Sequence, residues 1–300
     1  MKAVYEFSDL KHWNEVTADH EQRPLLAVIG DPVAHSKSPQ MHQPALDACE
    51  IDGAYVRLHL RPEEIDAALA LLPGLGFRGI NVTIPHKLAA LEAATRPDPL
   101  ALKMQAANTL LFRDGEIFAW NSDGPGFRDA VREEFGRELK DLRVAIIGAG
   151  GGAGRGVSVQ CAAEGCRRLV LVNRTVAKVD ALAKELQSLL SSERLSTCLW
   201  EKEALRAELG QVDLIVNATS LGMKPDDAEV VPAELLQSQH LVYDMVYSGG
   251  GTRLIEAAKG AGAGSANGLA MLLHQGAISF EHWFDRTAPL EEMRQGLLQA

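Results

Sequence analysis

The run Val144-Ala145-Ile146-Ile147-Gly148-Ala149-Gly150-Gly151-Gly152-Ala153-Gly154-Arg155-Gly156-Val157 decides the fold. An apolar stretch of strand length enters a cluster of glycines, and a helix-forming stretch leaves it. Read as G-x-G-x-x-A, the pattern uses Gly148, Gly150 and Ala153. Glycine is needed here because the backbone must turn tightly and approach a pyrophosphate, which then rests on unpaired N–H groups at a helix N-terminus. Gly-rich strand–helix turns also occur without a ligand, so the flanks carry the weight of the reading. They are right on both sides. The loop is expected to bind a dinucleotide through Gly148, Gly150, Gly151, Gly152 and Ala153.

The following strand, Leu169–Val172, selects the cofactor. NAD enzymes usually carry an acid about 20 residues beyond the glycines, where it binds the ribose 2′-hydroxyl. Here that position falls in Asn173-Arg174-Thr175. Arg174 offers a planar fork of donors suited to a 2′-phosphate, and no acid competes with it. NADP is therefore expected, with Arg155 as a second positive group.

Working outward, strand-like and helix-like segments alternate on both sides. Before the glycine loop come Leu25–Ile29, a helix near Pro39, Tyr55–Leu60, helical spacing over Pro62–Leu72, Gly79–Thr83 and Asn108–Phe112. After it come Asp213–Val216, Leu241–Asp244, a loop at Ser248–Gly251, a long helix over Gly268–Trp283 and a last one over Pro289–Gln299. This order implies α/β architecture, two domains and mainly parallel sheets. Residues 1–24 read as an extra leader, helical in part.

Bulk properties exclude several function classes. A formal charge of −10 and a pI near 5.4 argue against nucleic-acid or anionic-membrane binding. No apolar run is long enough to span a bilayer, and the first residues lack a signal-peptide core. Cys49, Cys161, Cys166 and Cys198 have no zinc-type spacing, so reduced thiols, no metal and a cytoplasmic protein are expected.

Three polar segments stand where strands should end, the usual ligand edge of an open α/β sheet. Gly30–Pro39 contains Ser36 and Ser38, and Ser38 before Pro39 also reads as a helix N-cap with proline at N1. Gly79–Lys87 places Lys87 after a buried strand and a proline. The third comprises Ala107-Asn108-Thr109 and Trp120–Phe127, in which Asn121-Ser122-Asp123-Gly124 alone would read as a turn. His35, His42 and His86 flank these loops without a metal-binding arrangement and are expected to be structural.

Together these segments resemble the shikimate dehydrogenase family. Its patterns occur in order at His35–Pro39, Asn81–Lys87, Ala106–Thr109, Asn121–Phe127, Asn217–Ser220, Tyr243–Tyr247 and Gly268–Gln275, so the resemblance covers residues 25–285. Departures are a glycine loop one residue longer than common, Gln43 where Asn is frequent, and Ala270 where Gly is usual.

The resemblance implies a substrate domain of residues 1–122 and 268–300, a Rossmann-type NADP domain of residues 123–267, and a cleft between them. It implies that Lys87 and Asp123 form the catalytic pair and that Ser36 and Ser38 hold the substrate carboxylate. Asn81, Thr83, Asn108, Tyr247 and Gln275 would bind the carboxylate or ring hydroxyls. Asn173, Thr175, Thr219, Met245, Gly268 and Met271 would complete the cofactor site. The reaction expected is reversible NADP-dependent reduction of 3-dehydroshikimate to shikimate by a monomer or homodimer. The alternatives are a quinate/shikimate dehydrogenase of broader specificity and a non-catalytic NADP-binding regulator.

Overall fold

A computed structural model of the chain describes residues 1–224, 226–247 and 251–299. Of the expected loop at 248–251, Ser248, Gly249 and Gly250 lie outside the described residues. The chain divides into two compact units, Met1–Ser122 with Leu273–Ala300, and Asp123–Leu272.

The first unit carries a seven-stranded sheet. Its strands are β1 (Tyr5–Glu6), β2 (Pro24–Gly30), β3 (Ala54–His59), β4 (Gly79–Val82), β5 (Arg96–Pro97), β6 (Thr109–Arg113) and β7 (Glu116–Trp120), in the order β1-β3-β2-β4-β6-β7-β5. The helices before its last strand are α1 (Phe7–Leu10), α2 (Trp13–Val16), α3 (Ser38–Ala48), α4 (Ile65–Leu71), α5 (Lys87–Glu92) and α6 (Pro99–Met104). β1, β3, β2 and β4 pair in parallel, and β2, β3 and β4 are nearly continuously buried, as strands covered on both faces are. β6 departs from that pattern and runs antiparallel to both β4 and β7. The cause is local. Asp114 and Gly115 both take positive φ, 54° and 77°, which is the turn that a two-residue hairpin demands.

The leader is part of this unit. β1 adds an edge strand parallel to β3, with Tyr5 opposite Leu58, and Tyr5, Leu10 and Trp13 are buried in the same core as Leu58 and Ile65.

The second unit is a six-stranded, wholly parallel sheet of β8 (Arg143–Ile147), β9 (Arg168–Asn173), β10 (Leu195–Leu199), β11 (Leu214–Asn217), β12 (Leu241–Asp244) and β13 (Gly264–Asn267). The order is β10-β9-β8-β11-β12-β13, the 3-2-1-4-5-6 winding of the dinucleotide fold. Its direction reverses between β8 and β11, so a ligand crevice is expected at the C-terminal ends of those two strands. The connecting helices include α7 (Asp123–Phe135), α8 (Gly152–Ala163), α9 (Val176–Leu186), α10 (Lys202–Leu209) and α11 (Arg253–Gly260).

Helix α12 (Leu269–Phe284) then returns the chain to the first unit, and α13 (Leu290–Leu298) ends it. Close approach is built into this return. A Cβ at Gly79 would collide with the Trp283 indole and the Leu110 carbonyl, and the Trp283 Nε1–H donates to that same carbonyl at 2.8 Å.

Candidate active site

In the first unit, short backbone bonds bring the polar loops to one sheet edge. The Asp31 amide donates to the Ile84 carbonyl, the Val82 amide to the Asn108 carbonyl, and the Ala107 amide to the Lys87 carbonyl, each at 2.9 Å. β6 runs opposite to β2 and β4, so its first residues reach the edge where those strands end. Lys87 is half-buried as the first residue of α5.

Behind this edge lies a buried polar network. The Ser122 backbone amide donates to Asn108 Oδ1 at 2.7 Å, which fixes that atom as an acceptor. Asn108 Nδ2 must then donate, and it does so to Ser122 Oγ at 3.0 Å and Gln275 Oε1 at 3.4 Å. The Asn81 amide is fixed in the same way. Its Nδ2 donates to the Asn108 carbonyl at 3.1 Å and to Ser279 Oγ at 2.9 Å, so its Oδ1 accepts from the Tyr55 hydroxyl at 2.8 Å. Burial pushes the Tyr55 phenol well above its usual range, which keeps it a donor.

His42 stacks on Tyr55 with ring centroids 4.6 Å apart and packs against Trp283 at 5.2 Å. Complete burial lowers its pKa to about 3, so it stays neutral. His86 is also buried, with Nε2 at 2.7 Å from the Leu60 carbonyl. Both histidines are buried. Among the described residues, no group of three or more His, Cys, Asp or Glu side chains could hold a metal ion.

The serine loop needs one correction. Ser38 is not the N-cap of α3; Lys37 holds that position and Ser38 is the first helical residue. The Ser38 side chain is buried and engages Ser36, whose Oγ lies 3.1 Å from Ser38 Oγ and also accepts from the Ser38 amide at 3.3 Å. Arg57 holds this turn from behind, donating to the Ser36 carbonyl at 2.9 and 2.6 Å. Thr83 is half-buried on the β4 loop, its amide donating to the Ile29 carbonyl at 2.8 Å. Gln43, a departure from the family pattern, binds the Tyr55 amide and the Gly53 carbonyl, a structural task.

In the second unit the glycine loop lies at the switch point. Gly148 has φ +86°, and a Cβ there would strike the Thr219 methyl on the β11 side. A Cβ at Gly150 would meet Asn173 Nδ2 at 2.9 Å, while Gly151 caps α8 and Gly152 begins it. Close helix-to-loop packing belongs to Gly154, whose missing Cβ admits the Gly148 carbonyl. Ala153 itself is exposed. The extra glycine moves the third small residue along by one position, and the turn absorbs it.

At the end of β9, Arg174 is exposed and lies over the Trp200 ring at 5.6 Å, a platform that orients its guanidinium. Asn173 Nδ2 donates to the Thr175 carbonyl at 3.1 Å. Arg155 pairs with Glu185 at 2.5 Å, so it is oriented by a carboxylate rather than presented openly to a phosphate. The ends of β11 and β12 are knitted together. Thr219 Oγ1 donates to Asn217 Oδ1 at 2.7 Å, Asn217 Nδ2 donates to Asp244 Oδ1 at 2.8 Å, and the Met245 amide donates to the Asn217 carbonyl at 3.0 Å. A Cβ at Gly268 would strike the Met245 carbonyl, and the buried Met271 donates its amide to the Tyr243 hydroxyl at 3.2 Å. Asp123 opens α7 directly after Ser122, and Tyr247 is partly exposed.

Sequence reading missed four residues of the first unit: Tyr55, Thr109, Ser122 and Ser279. Thr109 and Ser122 stood inside quoted motifs without a role. Ser279 lies 170 residues from its Thr109 partner, and no local pattern announces such a contact.

A parallel sheet wound 3-2-1-4-5-6 with a glycine turn at its switch point defines a dinucleotide-binding α/β protein. Comparison with known proteins narrows the class. The family descriptions that match are the shikimate dehydrogenase substrate binding domain over residues 28–110, shikimate/quinate 5-dehydrogenase over 129–230 and the shikimate 5′-dehydrogenase C-terminal domain over 268–298. A shikimate dehydrogenase (NADP(+)) of Methanopyrus kandleri is 38% identical over 95% of this chain and 98% of its own. A shikimate dehydrogenase crystallised with NADP+ is 35% identical, with a TM-score of 0.83 over 92% of this chain and 95% of that one. The Thermus thermophilus enzyme, crystallised with NADP(H) and shikimate, is 33% identical with a TM-score of 0.81 over 91% and 98%. This chain belongs to the shikimate dehydrogenase family.

Proposed function

We propose that the chain catalyses the reversible, NADP-dependent reduction of 3-dehydroshikimate to shikimate. The observation that carries this reading is the single sheet edge of the first unit, which gathers Lys87, hydroxyls and orientation-locked amides around a serine turn. That set matches a substrate with one carboxylate, several ring hydroxyls and a ketone. Ser36 and Ser38 take the carboxylate at the start of α3, aided by the helix dipole. Asn108, Gln275, Thr83 and Tyr247 take ring oxygens, and Asn81 orients Asn108.

When bound, NADPH supplies the hydride. Lys87, as an ammonium, stabilises the oxyanion that develops at the ketone and donates its proton there. Asp123 orients Lys87 and binds the neighbouring hydroxyl. The glycine turn of the second unit receives the pyrophosphate, and Arg174 on its Trp200 platform grips the 2′-phosphate. Thr219, Met245, Gly268 and Met271 wall the nicotinamide. The domain assignment proposed is residues 1–122 and 268–300 for substrate and 123–267 for NADP, while the compact units divide later, between Leu272 and Leu273, which leaves Gly268 and Met271 with the cofactor-binding unit.

The test is oxidation of shikimate and quinate with NADP+ and NAD+ in parallel. The expected result is the highest kcat/KM for shikimate with NADP+. Comparable rates on quinate would point to the broader dehydrogenase, and no turnover at saturation would point to a non-catalytic regulator. The enzyme is further proposed to be cytoplasmic and a monomer or homodimer, which localisation and light scattering would decide. Among the described residues, no helix is long and apolar enough to cross a membrane.

A further inference from the structure

We propose that Ser279, one helical turn beyond Gln275 on α12, is a positioning residue for the substrate's ring hydroxyls. The inference rests on the shikimate dehydrogenase reading above. Ser279 is fully buried and has a polar partner on every side. Its hydroxyl lies 2.9 Å from Asn81 Nδ2 on β4, 2.7 Å from Thr109 Oγ1 on β6, 3.2 Å from Ser122 Oγ after β7, and 2.9 Å from the Gln275 carbonyl on its own helix. One side chain therefore joins two strands, and the segment after a third, to the helix that carries a substrate amide.

The protons can be assigned. The Gln275 carbonyl is only an acceptor, so the Ser279 O–H donates to it. Asn81 Nδ2 is only a donor, so Ser279 accepts there. Its second acceptor position takes the Thr109 O–H. Ser122 then gives its O–H to Asn108 Oδ1, 3.2 Å away, and accepts from Asn108 Nδ2. Each amide then has a single orientation, and the 3.2 Å approaches of Ser122 Oγ to Ser279 Oγ and to Thr109 Oγ1 are oxygen–oxygen contacts that carry no proton in this arrangement. The consequence reaches the ligand. Gln275 Oε1 is held as an acceptor by Asn108, so Gln275 meets a substrate hydroxyl through its Nε2 donors.

Removing the Ser279 hydroxyl leaves Asn81 Nδ2 and Thr109 Oγ1 each short of a buried partner and loosens the helix turn bearing Gln275. A role confined to stability would lower Tm and leave KM unchanged. A positioning role must appear in KM and must act through Gln275.

The experiment is a double-mutant cycle on the full chain, with Ser279→Ala, Gln275→Ala and the double variant assayed for shikimate oxidation at saturating NADP+. Ser279→Ala is expected to raise KM for shikimate on the order of threefold to tenfold, the scale of one or two neutral hydrogen bonds, with KM for NADP+ unchanged. In the Gln275→Ala background the same substitution is expected to have little further effect on KM. Should Ser279→Ala fold too poorly to assay, Thr109→Val removes the partner hydroxyl and must give the same signature. A folded Ser279→Ala chain with unchanged KM, or additive effects of the two substitutions, overturns the proposal. A wild-type chain inert toward shikimate overturns the functional reading, and this inference with it; an active wild type with a failed cycle overturns this inference alone.

Discussion

Asn108 is held by a backbone N–H that can only donate, so its amide orientation passes unchanged to Gln275. Side chains locked in this way bind a ligand without first losing rotamer freedom. The serine turn is a second device of this kind, with its carbonyl pinned by Arg57. Ser36→Ala and Ser38→Ala are each expected to raise KM for shikimate on the order of threefold to tenfold, with kcat less affected; normal KM in both would remove the serines from the carboxylate site. At the other ligand, Arg174→Ser is expected to raise KM for NADP+ by at least about tenfold, the scale of a charge-assisted hydrogen bond, while KM for NAD+ moves little. Equal losses with both cofactors would show that Arg174 does not read the 2′-phosphate. Residues of this sort were legible in the sequence because their motifs are local and ordered. Ser279 and Tyr55 were not, because a buried polar partner is defined by tertiary neighbours and not by spacing. Arg155 shows the converse: the sequence placed a cation near the phosphates, and only the structure reveals Glu185 as its partner.

Elements behave according to what their sequence repeats. Four strands of the second unit, β8, β9, β11 and β12, are largely apolar, mostly buried runs, and such runs were readable at once. β13 and β10 were missed because Gly264–Asn267 and Leu195–Leu199 lack that signature. The β6–β7 hairpin was also missed, although Asp114-Gly115 is a recognisable turn pair, because the alternating strands and helices before it suggested mainly parallel order. Packing at β4 gives a stability prediction. Gly79→Ala would force apart the Trp283 indole and the Leu110 carbonyl, and is expected to cost on the order of 1–3 kcal/mol in urea denaturation; an unchanged midpoint would show that α12 yields without cost.

The leader strand gives a prediction in pH. His59 Nδ1 lies 2.9 Å from Glu6 on β1, and His59 Nε2 lies 3.0 Å from Asp31 beyond β2, so the imidazolium form donates to both. Asp31 first, and Glu6 with it, raises the His59 pKa, while Arg61, Glu64 and Lys11 line the adjoining surface. A raised folded pKa means that the stabilisation is complete below the unfolded value of about 6.5 and is lost as pH climbs through the folded one. The contribution is at most about 1 kcal/mol, because the pair is partly solvated. Hydrogen exchange of the β1 amides is expected to quicken as pH rises above the unfolded value of about 6.5 in the wild type, beyond the intrinsic rise, and His59→Gln is expected to abolish that excess.

On the scale of the whole molecule, two α/β units share one chain that leaves the first at Ser122 and re-enters it at Leu273. The two-domain α/β class was legible because the glycine loop sits in mid-chain with strand–helix alternation on both sides. The leader's role was not legible, because a two-residue edge strand has no periodicity to read; its anchoring by Tyr5 and Trp13 is a tertiary fact. The division also separates the chemistry, with proton transfer assigned to Lys87 in the first unit and cofactor recognition to the glycine turn in the second. The most direct test of that assignment is steady-state oxidation of shikimate by Lys87→Ala at saturating NADP+. The account predicts a fall in kcat of about 10²–10⁴-fold with little change in KM. An unchanged kcat with a large rise in KM would contradict it and make Lys87 a binding group.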